Sequence, residues 1–251
     1  MILTADLHLH SCLSPCGDLS MSPTVIADHL KSRGVQLAAL TDHNSALNCP
    51  AFGEACRERG IAPLYGMEAQ TTEEVHVLCL FSQLETALSF SEQIYRLMPS
   101  IWNIPEKMGD QVYVDAEENI LGEVEKYLVT SVDRSLDELA AWVISLGGII
   151  IPAHVDRAAF SLTSQLGFIP DGPWTALEVV RMPPSDPALR DSSYVDTRGY
   201  PLTTSSDAHY IEHIARRPFA LDIGELPLYE DDGVTVCMET VKSALSKRPS
   251  F

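Results

Sequence analysis

Three stretches of the chain repeat one pattern: apolar and polar residues at helical spacing, a glycine stop, then a short, mostly apolar run that leads to a polar side chain. The first opens on Ser22-Pro23, an N-cap followed by a proline at the first helical position, and its spacing predicts a helix to Arg33 with a stop at Gly34. Val35-Gln36-Leu37-Ala38-Ala39-Leu40 then predicts a strand leading to Asp42-His43. The second unit predicts a helix over 50–59, a stop at Gly60, and a strand over 61–67 leading to Glu68. In the third, Ser135 and Glu138 form a capping box, the helix stops at Gly147-Gly148, and Ile149-Ile150-Ile151 leads to His154. Apolar runs alternating with helices predict parallel strands buried on both faces, hence an α/β fold.

Residues 2–7 predict a first strand ending at His8. Ala176-Leu177-Glu178-Val179-Val180 and Leu202-Thr203-Thr204-Ser205 predict later strands, the second leading to Asp207. Chemically active side chains thus fall at the carboxyl ends of strands, where α/β barrels and open sheets build their sites. Over 82–134 the rhythm breaks into a helix at 84–97, a proline-bearing stretch at 99–105 and a hairpin around 115–119, which reads as an insertion in a single domain spanning 1–251. The proline-rich stretch 167–198 reads as an active-site loop region. A closing helix is predicted over 235–247, with Val236, Thr240, Val241 and Leu245 on one face.

Charge narrows the chemistry. The chain has 35 Asp and Glu against 17 Lys and Arg, a formal charge of −18, with no basic stripe. A surface this negative repels a long nucleic-acid track but leaves room for a small phosphorylated substrate or a short nucleic-acid end. No apolar run is long enough to span a membrane and no leader pattern opens the sequence. Six cysteines (Cys12, Cys16, Cys49, Cys56, Cys79, Cys237) lack any CxxC pair and read as reduced thiols, so a soluble cytoplasmic protein is expected.

Six of the eight histidines (His8, His10, His43, His76, His154, His209) fall beside strand ends, together with Glu68 and Asp207. If 70–73 is a turn at the rim, the run from Val75 travels back down and His76 lies near Glu68. Imidazoles and carboxylates converging at one rim suit divalent Zn, Fe or Mn, and they outnumber the ligands of one four-coordinate ion. No nucleophile elbow or phosphate-binding glycine loop accompanies them. Arg157 is a candidate fork for a substrate phosphate, and Arg181 a weaker one. Asp42 reads as an orienting group for a ligand histidine, whereas His29 and His213 have no matching motif.

His8-Leu9-His10-Ser11, Thr41-Asp42-His43-Asn44, Gly66-Met67-Glu68 with His76, Pro152-Ala153-His154 and Ser206-Asp207-Ala208-His209 together resemble the successive motifs of the PHP (polymerase and histidinol phosphatase) family. The resemblance spans residues 6–209 and implies a distorted seven-stranded β/α barrel that holds two to three divalent ions and hydrolyses phosphoesters. It implies one ion on His8, His10, Glu68 and Asp207 and a second on Glu68, His76 and His154, with Glu68 and Asp207 as the catalytic metal-holding acids. A third would use His43, His209 and one ligand from the loop after the first strand. There this chain carries Cys16-Gly17-Asp18; Cys16 is favoured over Asp18 and would bias the site toward Zn or Fe. Two alternatives stay open: a metal-dependent amidohydrolase or deaminase, which the lack of a lysine at a strand end disfavours, and a non-catalytic, metal-stabilised binding module.

Overall fold

The structure, a computed structural model, describes residues 1–246 apart from 185 and 192. The three repeated units fold as their punctuation requires. In the first, β1 (Ile2–Asp6) is followed by α1 (Pro23–Ser32), whose Ser22 hydroxyl accepts the Val25 amide, and then by β2 (Leu37–Leu40). Gly34 stops α1 at φ 74°, a conformation open to glycine at little cost. Next come α2 (Cys49–Glu58), β3 (Ala62–Gln70) and β4 (His76–Phe81). The break in rhythm becomes α3 (Leu84–Leu97), a single turn α4 (Pro105–Met108) and the hairpin strands β5 (Val112–Val114) and β6 (Ile120–Glu123). The third unit is α5 (Leu136–Ser145), with both bonds of its Ser135–Glu138 capping box present, and β7 (Ile149–Pro152). α6 (Leu162–Leu166), β8 (Leu177–Glu178), β9 (Leu202–Thr203), β10 (Phe219–Asp222) and α7 (Met238–Ser246) complete the order. Residue 247, in the expected closing helix, lies outside the described residues.

The main sheet curls through six strands in the order β10-β1-β2-β3-β4-β7. Its strands are not all parallel, which corrects the sequence expectation. β1, β2 and β3 run parallel, but β4 is antiparallel to β3, β7 to β4, and β10 to β1. The reason at β3–β4 is local: the Thr71 amide donates to Val75 O at 2.9 Å, and a turn this short leaves no room for the crossover that a parallel pair needs. β8 and β9 pair parallel in a sheet of their own. They are tied to β7 by Thr175 N to Ile150 O (3.0 Å) and to the end of β1 by Asp207 N to His8 O (2.9 Å).

Alternate residues of the buried strands serve two cores. Leu3, Ala5, Leu37, Ala39, Leu64, Leu78 and Ile149 face an inner cluster closed by Val241, Ala244 and Leu245 of α7. Ala38, Leu40, Met67, Cys79 and Ile150 face an outer cluster shared with the helices. α3 belongs to that helical layer, since Ala87, Phe90 and Ile94 are fully buried in the outer cluster. With both faces covered, the strands are rigid mounts for whatever projects from their ends.

Candidate metal centre

The strand ends deliver the polar set to one rim. His8 and His10 follow β1, His43 follows β2, Glu68 lies within β3, His76 opens β4, His154 follows β7, and Asp207 and His209 follow β9. All are buried except His209, which is partly exposed. The β3–β4 register sets Gln70 opposite His76, so the downward run brings His76 back beside Glu68, as the turn at 70–73 led us to expect. His154 (φ 32°) and Asp207 (φ 48°) adopt left-handed backbone conformations, each costing about 1–3 kcal/mol. Strain of this kind persists where surrounding structure holds it in place, as the flanking strands do here.

Glu68 sits at the middle. Its Oε1 lies 2.9 Å from His76 Nδ1, 3.0 Å from His154 Nε2 and 3.3 Å from His8 Nε2. Its Oε2 lies 3.2 Å from His43 Nδ1 and 3.4 Å from His10 Nε2. Asp207 Oδ1 is 3.5 Å from His8 Nε2, from His10 Nε2 and from His209 Nδ1. Three groups have ligand atoms within 4.8 Å of one another: His8, His10 and Asp207; His43, Glu68 and His76; and His10, His43 and His209.

In the neutral rings, the outer hydrogen bonds assign which nitrogen carries hydrogen. His8 Nδ1–H donates to Glu178 at 3.1 Å. His10 Nδ1–H donates to Ser14 Oγ at 2.9 Å, because that hydroxyl gives its own hydrogen to Asp42 Oδ1 at 2.7 Å. Both Nε2 atoms therefore present lone pairs, and they face each other at 3.1 Å. Likewise His76 Nε2–H donates to Gln70 Oε1 at 3.2 Å, which turns the Nδ1 lone pair onto the Glu68 carboxylate. Lone pairs opposed at such distances repel unless a proton or a metal cation lies between them. Two nitrogens on one tetrahedral Zn, with bonds of ~2.0–2.1 Å, stand roughly 3.3 Å apart. His154 Nδ1 is buried with no partner among the described residues. The donor set thus fits divalent ions.

The electrostatics agree. Burial disfavours charge on His8, but Glu178, Glu68 and Asp207 outweigh it and hold its pKa well above 6.5. His10 is raised against burial by Asp207 and Glu68. His43 falls well below 6.5 through burial and the charge on His10, and His209 falls to about 3 for the same reasons. Burial opposes ionisation of Glu68, yet His76 and His8 hold it well below the ordinary carboxylate range. Positive charge is wanted between these groups, and without an ion protons on His8 and His10 supply it.

Cys16 and Asp18 join none of the three groups. Cys16 is exposed as a residue, yet its thiol is desolvated enough that burial and then the Glu68 charge push it up to about 12. The Asp18 carboxylate instead accepts the Ser20 amide and hydroxyl, and His10 completes the group with His43 and His209. Arg157 is half exposed and its guanidinium donates to Asp207 Oδ2 at 2.6 Å. Arg181 is engaged elsewhere, stacked 4.0 Å over Tyr194 and donating to Ser193. His29 lies on α1, and His213 rests edge-on to Tyr210.

A family profile described as the PHP domain matches residues 6–146, more than half the chain. The chain belongs to the PHP domain family. Endonuclease Q of Pyrococcus furiosus aligns with 98% of this PHP chain at 18% identity and a TM-score of 0.63; the chain spans only 56% of that protein. A protein of Bifidobacterium adolescentis described as a metal-dependent phosphoesterase aligns over 96% of this chain and 95% of its own at 17% identity, TM-score 0.55. An amidohydrolase of Chromobacterium violaceum aligns over 98% of both chains at 18% identity, TM-score 0.51. No curated protein sequence matches. At these identities the structural likenesses speak for the fold alone.

Two orienting residues of this PHP domain escaped the sequence reading. Glu178 accepts from His8 and also from the His154 amide at 3.2 Å, so one carboxylate positions residues after two different strands. Its signal was the lone charge in the apolar run Ala176-Leu177-Glu178-Val179-Val180. Ser14 had none, because its partners Asp42 and His10 meet it only in the fold.

Proposed function

We propose that this PHP domain is a metal-dependent phosphoesterase that hydrolyses a small phosphomonoester, a nucleotide or a short oligonucleotide end. The observation that carries the reading is the convergence of imidazoles and carboxylates on Glu68 in three overlapping groups of ligand atoms, a donor set suited to two to three cations. We assign His8, His10, Asp207 and Glu68 to one ion, and Glu68, His76, His43 and His154 to a second. A third would sit among His10, His43 and His209 on the Cys16 side of the mouth. Zn, Fe or Mn suits nitrogen and carboxylate donors, with Zn or Fe favoured if Cys16 turns inward. When bound, such ions activate water near neutral pH and polarise phosphoryl oxygens. The same reading takes β1-β2-β3-β4-β7-β8-β9 as the distorted seven-stranded barrel of the family, closed by the hydrogen bonds from β8 to β7 and from the end of β9 to the end of β1.

The chain's own groups have separable tasks. Glu68 and Asp207 keep the cluster's negative charge in place, and Glu178 and Ser14 fix the His8 and His10 tautomers. Arg157 reaches the mouth with a fork suited to a phosphate once Asp207 turns its charge to an ion. Endonuclease Q holds a 27-mer duplex with an abasic lesion at its active site, which supports nucleic acid as one substrate class for this fold. The charge of −18 favours a short nucleic-acid end. The test is phosphate release from nucleoside monophosphates and short oligonucleotides by protein stripped and then reloaded with Zn, Fe or Mn. Release that appears on reloading and disappears in Glu68→Ala supports the assignment. Absence of release with every metal overturns it.

A further inference from the structure

The loop between β7 and α6 runs across the mouth with a different group at each end. Arg157 reaches Asp207, beside His8 and His10. Three residues on, Phe160 reaches the other end of the cluster and stacks on His76 at 4.9 Å with an interplanar angle of 11°. Phe160 is held there twice. Its carbonyl accepts the His76 amide at 2.9 Å, and its own backbone sits at φ 54°, a left-handed conformation that a bulky side chain adopts at a cost of about 1–2 kcal/mol. A ring with this much support is nevertheless 38% exposed. One face lies on His76, and the residue keeps part of its surface open to solvent.

We infer that Phe160 is a stacking platform for the planar base of a nucleotide whose phosphate is held at the cluster. The inference rests on the phosphoesterase reading and names its substrate class. Aromatic rings accept a second ring by offset stacking, and a base gains about 1–3 kcal/mol on such a surface. Phe160 lies to one side of the cluster by the thickness of the His76 stack. The sugar of a nucleotide supplies a spacing of this kind between its phosphate and its base. Arg157 and Phe160 then read one ligand from the same loop, the phosphate at one end and the base at the other.

The experiment compares adenosine 5′-monophosphate with ribose 5-phosphate, which differ by the base alone, on the metal-loaded protein. Both kcat/KM and the Kd by calorimetry are measured for wild type, Phe160→Leu and Phe160→Trp. We expect wild type to favour the nucleotide by about tenfold or more in both readouts, the size of one stacked base. Phe160→Leu should collapse that ratio through KM, and Phe160→Trp should restore it, which a ring that merely buttresses His76 would not do. Equal treatment of the two ligands by wild type overturns the inference, as does a ratio that Phe160→Leu leaves in place. If neither compound is hydrolysed, that result counts against the phosphoesterase reading alone, and the Kd ratio still decides the platform.

Discussion

Glu178 accepts the hydrogen of His8 Nδ1 and so commits the other nitrogen of that ring to the cluster. Removing such a partner typically costs a metal site 10–100-fold in affinity. Glu178→Ala is therefore expected to weaken metal retention by about that factor, measured by competition with a chelator, with Glu178→Gln milder because its amide oxygen still accepts. Arg157 makes a different prediction, since it bonds Asp207 from a half-exposed position. Arg157→Ala should raise KM for a phosphomonoester about tenfold while metal content holds, and Arg157→Lys should recover only part of the loss because an ammonium lacks the fork. At this scale the sequence was legible where chemistry and position coincide: His8, His10, His43, Glu68, His76, His154, Asp207 and His209 meet at one rim. Glu178 meets His8 170 residues away and Ser14 meets Asp42 28 residues away, pairings that only the fold creates.

The β3–β4 pair carries Glu68 and His76, and its tightest point is Gly66. A Cβ there would come within 1.9 Å of Cys79 O on the neighbouring strand. Gly66→Ala must push the pair apart, so we expect a loss of about 1–3 kcal/mol by thermal or denaturant unfolding, together with weaker metal retention. Ser135→Ala removes one half of a capping box on α5 whose bonds run to Glu138 and not to the cluster. It should cost about 1 kcal/mol and leave metal content alone. Elements announced by local signals, such as the caps of α1 and α5, the stop at Gly34 and the short turn before β4, were readable in advance. Strand direction was not: β7 and β10 are antiparallel to their neighbours because of where long connections return them, which periodicity does not record.

For the whole molecule, net charge and cluster charge pull in opposite directions. A chain at −18 gathers carboxylates and imidazoles at one rim, and cations held there, as proposed, would give a phosphate a positive well in a negative surround. No helix among the described residues is long and apolar enough to cross a membrane. Protonation competes with metal there. With His8 and His10 raised above 6.5, their ion-free form holds protons, so metal affinity should fall at least tenfold from pH 8 to pH 6 in chelator competition. The metal-free chain follows the opposite sign. Stability contributed by these two histidines is fully present below about pH 6.5 and is lost as pH rises through their raised values, so its melting temperature should fall across that range. The most direct test of the metal-centred account is phosphate release from a nucleoside monophosphate, followed as the stripped chain is titrated with Zn, Fe or Mn. The account predicts no release without metal and a rise that saturates at two to three equivalents per chain. Release by the stripped chain, or none at saturation, would contradict it.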